Sequence, residues 1–139
     1  MTEALPVPDG MFPDSIAGLL VKNKHCGPRL RFSGRVMCGA AYGSETKELL
    51  ATVQIEDFPE EETSNKPPPW NPSYTDHNEA KIREESLGDS KVLRYQGPQF
   101  NSFYWYSGKR HVEVFFYMPV PQQEQFVSYY LKRLPSNFQ

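Results

Sequence analysis

Cysteine is scarce in this chain: Cys26 and Cys38 are the two among 139 residues. Two cysteines cannot build a disulfide scaffold, and neither a C-x-x-C pair nor a zinc-finger spacing is present. Each reads as a small buried hydrophobe carrying a free thiol. A disulfide is the alternative if their strands lie side by side in an oxidising compartment. Long apolar runs are also missing, and no stretch approaches the ~20 residues needed to span a bilayer. Residues Met1 to Pro6 lack a basic region and an apolar core, so they are not read as a signal peptide. The cytoplasm is the expected compartment, with a mature periplasmic or secreted chain carrying a replaced N-terminus as the alternative. A basic excess is absent too: the formal net charge is −2, and a whole-protein footprint for nucleic acid is therefore not there.

The machinery of common enzymes is equally thin. Gly34, Gly39 and Gly43 open no helix and make no phosphate cradle. The three histidines are His25, His77 and His111. His25 adjoins Cys26, but neighbours on an extended chain point to opposite sides, and a Cys26–His111 thiol pair would exist only through the fold. A metal site would need His25, Cys26, Cys38 and His111 to converge. The carboxylates Glu56, Asp57, Glu60, Glu61 and Glu62 border a proline-rich stretch, where solvent would keep all of them ionised rather than raise one pKa for acid catalysis. No internal repeat is found. Neither a cofactor nor a metal is expected, and the balance lies against an enzyme.

Proline and aromatic residues, by contrast, are abundant. There are 13 prolines, close to twice the average of ~5%, which argues against a helical bundle because internal proline breaks helices. Aromatics make up 14%, which excludes wholesale disorder. Thirteen of the 19 aromatics fall between Tyr95 and Phe138.

Charge is segregated along the chain. Residues 51–90 carry three Lys/Arg and ten Asp/Glu, whereas residues 91–139 carry six and two. An acidic block therefore precedes a basic one, and such a field can steer a cationic partner.

Period-2 alternation marks strands. It runs from Leu30 to Tyr42, then from about Lys47 to Phe58 after the turn signal Gly43-Ser44-Glu45-Thr46. Lys91 to Gln96 follows the same rule. Gln99–Tyr106 and Lys109–Met118 form the clearest hairpin, turning at Ser107-Gly108, and apolar residues on both of its faces predict a central position. Asp14 and Ser15 are cap types ahead of Ile16–Leu20, which predicts one helical turn. Asp76 to Leu87 reads as a charged helix, with Gly88 as its C-terminal cap. Phe126, Val127, Tyr130, Leu131 and Leu134 recur at helical spacing in a closing helix from about Pro121 to Leu134. The expected fold is α+β: an antiparallel sheet of about five strands, the C-terminal helix packed on one face, and a short charged helix after a long Pro-rich loop. The whole chain, 1–139, reads as one domain, with 1–13 as an extended lead-in and 59–75 as a Pro-rich acidic loop.

Two places could contact a partner. The acidic loop offers Glu60, Glu61 and Glu62 as a lure and Trp70 and Tyr74 as apolar contacts. The aromatic hairpin offers Tyr104, Trp105 and Arg110, residue types favoured in interface hot spots; in the expected register Tyr104 faces His111 and Trp105 faces Arg110. The same aromatics would serve equally well as core. The leading expectation is a non-enzymatic protein-binding module, an inhibitor, immunity or chaperone-type protein that masks a partner's basic surface by steric occlusion. The alternatives are a small-ligand binder or enzyme with a pocket between helix and sheet, showing inward-facing His111, Glu113 or Tyr104, and a single-stranded nucleic-acid binder using the hairpin. Nucleic acid is disfavoured by the acidic block, and no membrane partner is expected.

Overall fold

The computed structural model describes residues 5–28, 36–57, 81–97 and 100–137. The elements in chain order are β1 (Ser15–Ile16), β2 (Leu19–Pro28), β3 (Val36–Gly43), β4 (Ala51–Asp57), β5 (Lys81–Leu87), β6 (Ser90–Gln96), β7 (Asn101–Ser107), β8 (Arg110–Phe116) and α1 (Gln123–Arg133). All eight strands form one antiparallel sheet in the order β1-β2-β3-β4-β8-β7-β6-β5. The expected mixture of about five strands and two or more helical pieces is therefore corrected: among the described residues the fold is mostly sheet, with a single short helix near the C-terminal end.

Two corrections share one cause. The helical turn expected at Ile16–Leu20 is a hairpin, with Ser15 opposite Leu20 and Ile16 opposite Leu19. Its two turn residues, Ala17 and Gly18, have φ of 50° and 85°, and positive φ at both central positions is the turn that matches strand twist. The charged helix expected to end at Leu87 is strand β5, whose Leu87 pairs with Ser90 across Gly88 and Asp89. Gly88 has φ 62°. A left-handed glycine closes a helix and opens a two-residue hairpin equally well, so the punctuation was legible but its meaning was ambiguous. Residues 76–80 of that expected helix lie outside the described residues.

The central hairpin turns one residue later than expected. Ser107 pairs with Arg110, so Gly108 and Lys109 make the loop, and Gly108 takes φ 58°. Tyr104 consequently faces Glu113, Trp105 faces Val112 and Tyr106 faces His111. The slip moves each partner by two residues, which preserves the face of every side chain. Both faces of β7 and β8 are largely buried, in keeping with their place inside the sheet.

One face of the sheet holds the core. Ala40, Val53, Val114 and Phe103 lie in one register row, and Cys38, Ile55, Val112 and Trp105 in the next. The helix presses its buried stripe, Phe126, Val127, Tyr130 and Leu131, on this face. The Phe126 ring meets Tyr42 edge-on at 5.1 Å and Phe116 at 5.6 Å between centroids. Glu124 in the first turn and Lys132 and Arg133 in the last complement the helix dipole. Phenol hydroxyls tie the N-terminal segment down: Tyr42 donates to the Pro13 carbonyl at 2.8 Å and Tyr130 to the Met11 carbonyl at 3.0 Å. Burial pushes the Tyr42 phenol up to about 12 and raises that of Tyr130 further.

Cys26 and Cys38 stand directly opposite each other on β2 and β3, 4.0 Å apart at Cα, and form a disulfide. The expectation of free thiols is corrected. Side-by-side strands, the condition attached to the alternative, are what the sheet supplies.

Candidate functional site

The face of the sheet turned away from α1 is built from the alternate residues of the same strands. Glu56, His111 and Tyr106 form one register row across β4, β8 and β7, and Gln54, Glu113 and Tyr104 form the next. Glu56, His111 and Glu113 are only 3%, 6% and 9% exposed. Ionisable groups this buried require partners, and each of these residues is engaged by neighbours. The His111 ring lies 5.0 Å from Tyr106 and 5.7 Å from Tyr104 between centroids. The Tyr104 phenol is held well above its ordinary range, by burial first and by Tyr106 second. Carboxylate, imidazole and phenol in adjacent rows are the residue types of proton transfer.

One end of this outer face carries an aromatic series that runs from buried to exposed. Tyr95 stacks on Phe100 at 5.3 Å, Phe100 on Phe115 at 5.3 Å, and Phe115 meets Tyr117 at 4.7 Å. Tyr117 at the end of this series and Leu49 are each 42% exposed, and Leu20 is 37% exposed. The three sit at the same end of the sheet. Tyr117 N–H donates to the Leu50 carbonyl, Leu50 N–H donates to the Tyr42 carbonyl, and Leu20 pairs with Gly43.

A second recess lies on the helix side, where the end of α1 meets the end of β4 and β8. It is a cleft of about 220 Å³ lined by residues of three segments: Pro8 to Met11, the strand residues Ile55 and Arg110, and Tyr130, Arg133 and Leu134 of the helix end. Arg110 donates from Nε to Asp57 Oδ1 at 3.1 Å. The Arg133 guanidinium lies 3.6 Å over the Tyr129 ring and donates from Nη1 to the Tyr129 carbonyl at 3.2 Å.

The sequence-expected site residues separate into three groups. Glu60, Glu61, Glu62, Trp70 and Tyr74 lie outside the described residues. Tyr104 and Trp105 are fully buried; Trp105 donates its indole N–H to the Leu134 carbonyl at 2.7 Å, so it packs as core and offers no surface for stacking a base or anchoring a partner. Arg110 is half-exposed and lines the cleft. The hairpin tip expected to hold Trp105 against Arg110 is therefore not assembled. His111, Glu113 and Tyr104 do gather, but on the face opposite the helix rather than in a pocket beneath it. A Cys26–His111 thiol pair is excluded, since the Cys26 sulfur is bonded to Cys38 and the two residues point to opposite faces. Among the described residues no group of three or more His, Cys, Asp or Glu side chains is placed to hold a metal, and no helix is long and apolar enough to cross a membrane.

Sequence reasoning missed that Tyr117, Leu49 and Leu20 come to the same end of the sheet, because that placement depends on pairings between strands. It also missed Arg133, which reads along the chain as an ordinary C-terminal helix cation. No family model, no curated protein and no solved structure matches this chain.

Proposed function

We propose that the protein is a non-enzymatic binding module whose partner is another protein with a basic surface. The observation that carries this reading is the exposure of three large apolar side chains, Leu20, Leu49 and Tyr117, at one end of the sheet. Large apolar side chains gathered at a surface are a common mark of interaction sites. Tyr117 is also preorganised by its contact with Phe115, which lowers the entropy lost on docking. The acidic block in residues 51–90 supports a basic partner through long-range attraction, with Glu60, Glu61 and Glu62 as its densest charges. Masking of the partner by steric occlusion, as an inhibitor, immunity or chaperone-type protein would do, fits a module with an exposed anchor and a charged approach.

Affinity purification with three forms of the chain tests the reading. A basic partner held by the wild type should be lost, at least tenfold in affinity, from a Leu49→Ser/Tyr117→Ser variant. It should associate more slowly with a Glu60→Lys/Glu61→Lys/Glu62→Lys variant, most clearly at low salt. A partner that binds all three alike removes both the rim and the charge from the explanation. The Cys26–Cys38 bond supports an oxidising compartment over the cytoplasm, since disulfides persist where thiols are not kept reduced. Alkylation of unfolded native-source protein with and without prior reduction distinguishes the two: cytoplasmic protein takes two alkyl groups without reductant.

A further inference from the structure

We propose that the cleft between residues 8–11, the sheet end and the end of α1 is a binding site for a small organic carboxylate with an apolar body. This goes beyond the partner reading and does not depend on it. The hydrogen-bonding inventory of the cleft is lopsided. Three main-chain acceptors of its wall are already used: the Pro8 carbonyl accepts from Met11 N–H, the Met11 carbonyl from Tyr130 Oη, and the Leu134 carbonyl from Trp105 Nε1. The Tyr130 carbonyl, one of the helix-end acceptors that would repel an anion, accepts from Leu134 N–H. The donors are not used up. A guanidinium has five N–H groups, and Arg110 spends its Nε on Asp57 while Arg133 spends one Nη1 bond on Tyr129. The guanidinium N–H groups left over favour a ligand that brings acceptors.

Charge and volume narrow the class. Asp9, Arg110 and Arg133 line the cleft and Asp57 pairs with Arg110, so the four charges balance and the site has no excess charge with which to hold a multiply charged anion. A phosphate dianion would meet Asp9, and Asp57 beside Arg110, with a second charge uncompensated. A guanidinium matches a carboxylate well, because its planar donor fork fits the two oxygens. Stacking on Tyr129 holds Arg133 in place before any ligand arrives. The rest of the lining, Pro8, Met11, Ile55 and Leu134, is apolar. A cleft of about 220 Å³ lies below the ~300–1,000 Å³ typical of drug-sized ligands, which suits an acid with a short chain or one ring.

The test titrates the full chain with hexanoate, hexanol, hexylamine and inorganic phosphate, read by amide chemical shifts. Hexanoate should bind and shift residues of the cleft, with at least tenfold tighter binding than any of the other three. Arg110→Gln and Arg133→Gln should each weaken hexanoate tenfold or more. Asp9→Asn should strengthen it, a gain that loss of folding cannot imitate. Leu49→Ser/Tyr117→Ser should leave it unchanged, which separates this site from the partner rim. The proposal is overturned if hexanol binds as well as hexanoate, if phosphate does so, if no probe shifts the cleft, or if neither arginine variant changes the affinity.

Discussion

The two faces of one sheet differ more than any two segments of the chain. Beneath α1 the strands present Ala40, Val53, Val114, Phe103 and Trp105, and the helix seals them with Phe126 and Tyr130. On the other face the same strands present Glu56, His111, Glu113, Tyr104 and Tyr106 in adjacent rows. Neither face is open to water in its middle, so burial alone does not tell them apart. What differs is the kind of group that is buried. One face buries apolar side chains, whereas the other buries carboxylates, an imidazole and phenols. Stability should therefore reside on the helix side, and specificity on the outer side and at the edges of both.

Removing Trp105 tests the first half of that contrast most severely. Trp105→Ala deletes a fully buried ring and its bond to Leu134, and should cost ~3–5 kcal/mol in urea unfolding, as large-to-small aromatic changes in cores do. Opening the disulfide, which also lies on the helix side, comes next. It closes a short loop, with a sequence separation of 12, and on loop entropy its loss should cost about 3 kcal/mol, read as the difference between Cys26→Ala/Cys38→Ala and wild type. On the outer face Tyr104→Phe removes only a hydroxyl and should change stability by about 1 kcal/mol. A cost equal to that of Trp105→Ala would erase the distinction between the faces.

The gentlest perturbation is pH, because it should leave the fold unaffected around neutrality. Tyr42 on the helix side titrates at about 12 and Tyr104 on the outer side is shifted in the same direction, whereas an unfolded tyrosine titrates near ~10. Both are neutral in the fold and both are raised by burial. Their contribution is complete below pH ~10 and declines as pH rises through the folded value, because the unfolded chain loses its protons first. The unfolding midpoint in urea should be flat up to pH ~10 and fall steeply between 10 and about 12. A midpoint already falling at pH 8 would mean that other groups control alkaline stability.

Much of this contrast was legible in the residues. The alternation of Val112, Val114 and Phe116 with His111, Glu113 and Phe115 already assigns them to two faces, and the stripe Phe126, Val127, Tyr130 and Leu131 already marks the helix. Those signals are periodic and local, and they survive a one-residue error in the turn because faces repeat every two residues. The extra strands were not legible for an equally physical reason. Lys81 to Leu87 carries four charged residues among its seven and too little apolar alternation to declare itself, and Gly88 punctuates helix and hairpin alike. The rim and the cleft were illegible because each is made by segments distant in sequence. Leu20 comes to the same end of the sheet as Leu49 and Tyr117 through three strand pairings, and Arg110 and Arg133 line one cleft only because a helix end and a sheet end coincide.

The strand order carries one further consequence. Strand β4 sits in the middle of the sheet and β5, the next strand in the chain, at its far edge. Four inter-strand gaps of ~4.8 Å separate them, and Lys81 lies in the register row of Ala51, six residues back along the sheet from Asp57, so the connection must cover about 19 Å across and about 20 Å along, a diagonal of about 28 Å that about nine extended residues could bridge. Residues 58–80 provide more than twice that length. Chain closure depends only logarithmically on length, and halving such a connection changes its free energy by about 0.6 kcal/mol. Chain closure therefore sets little limit on how long this stretch is, and a change of length alone should cost the sheet little through chain entropy.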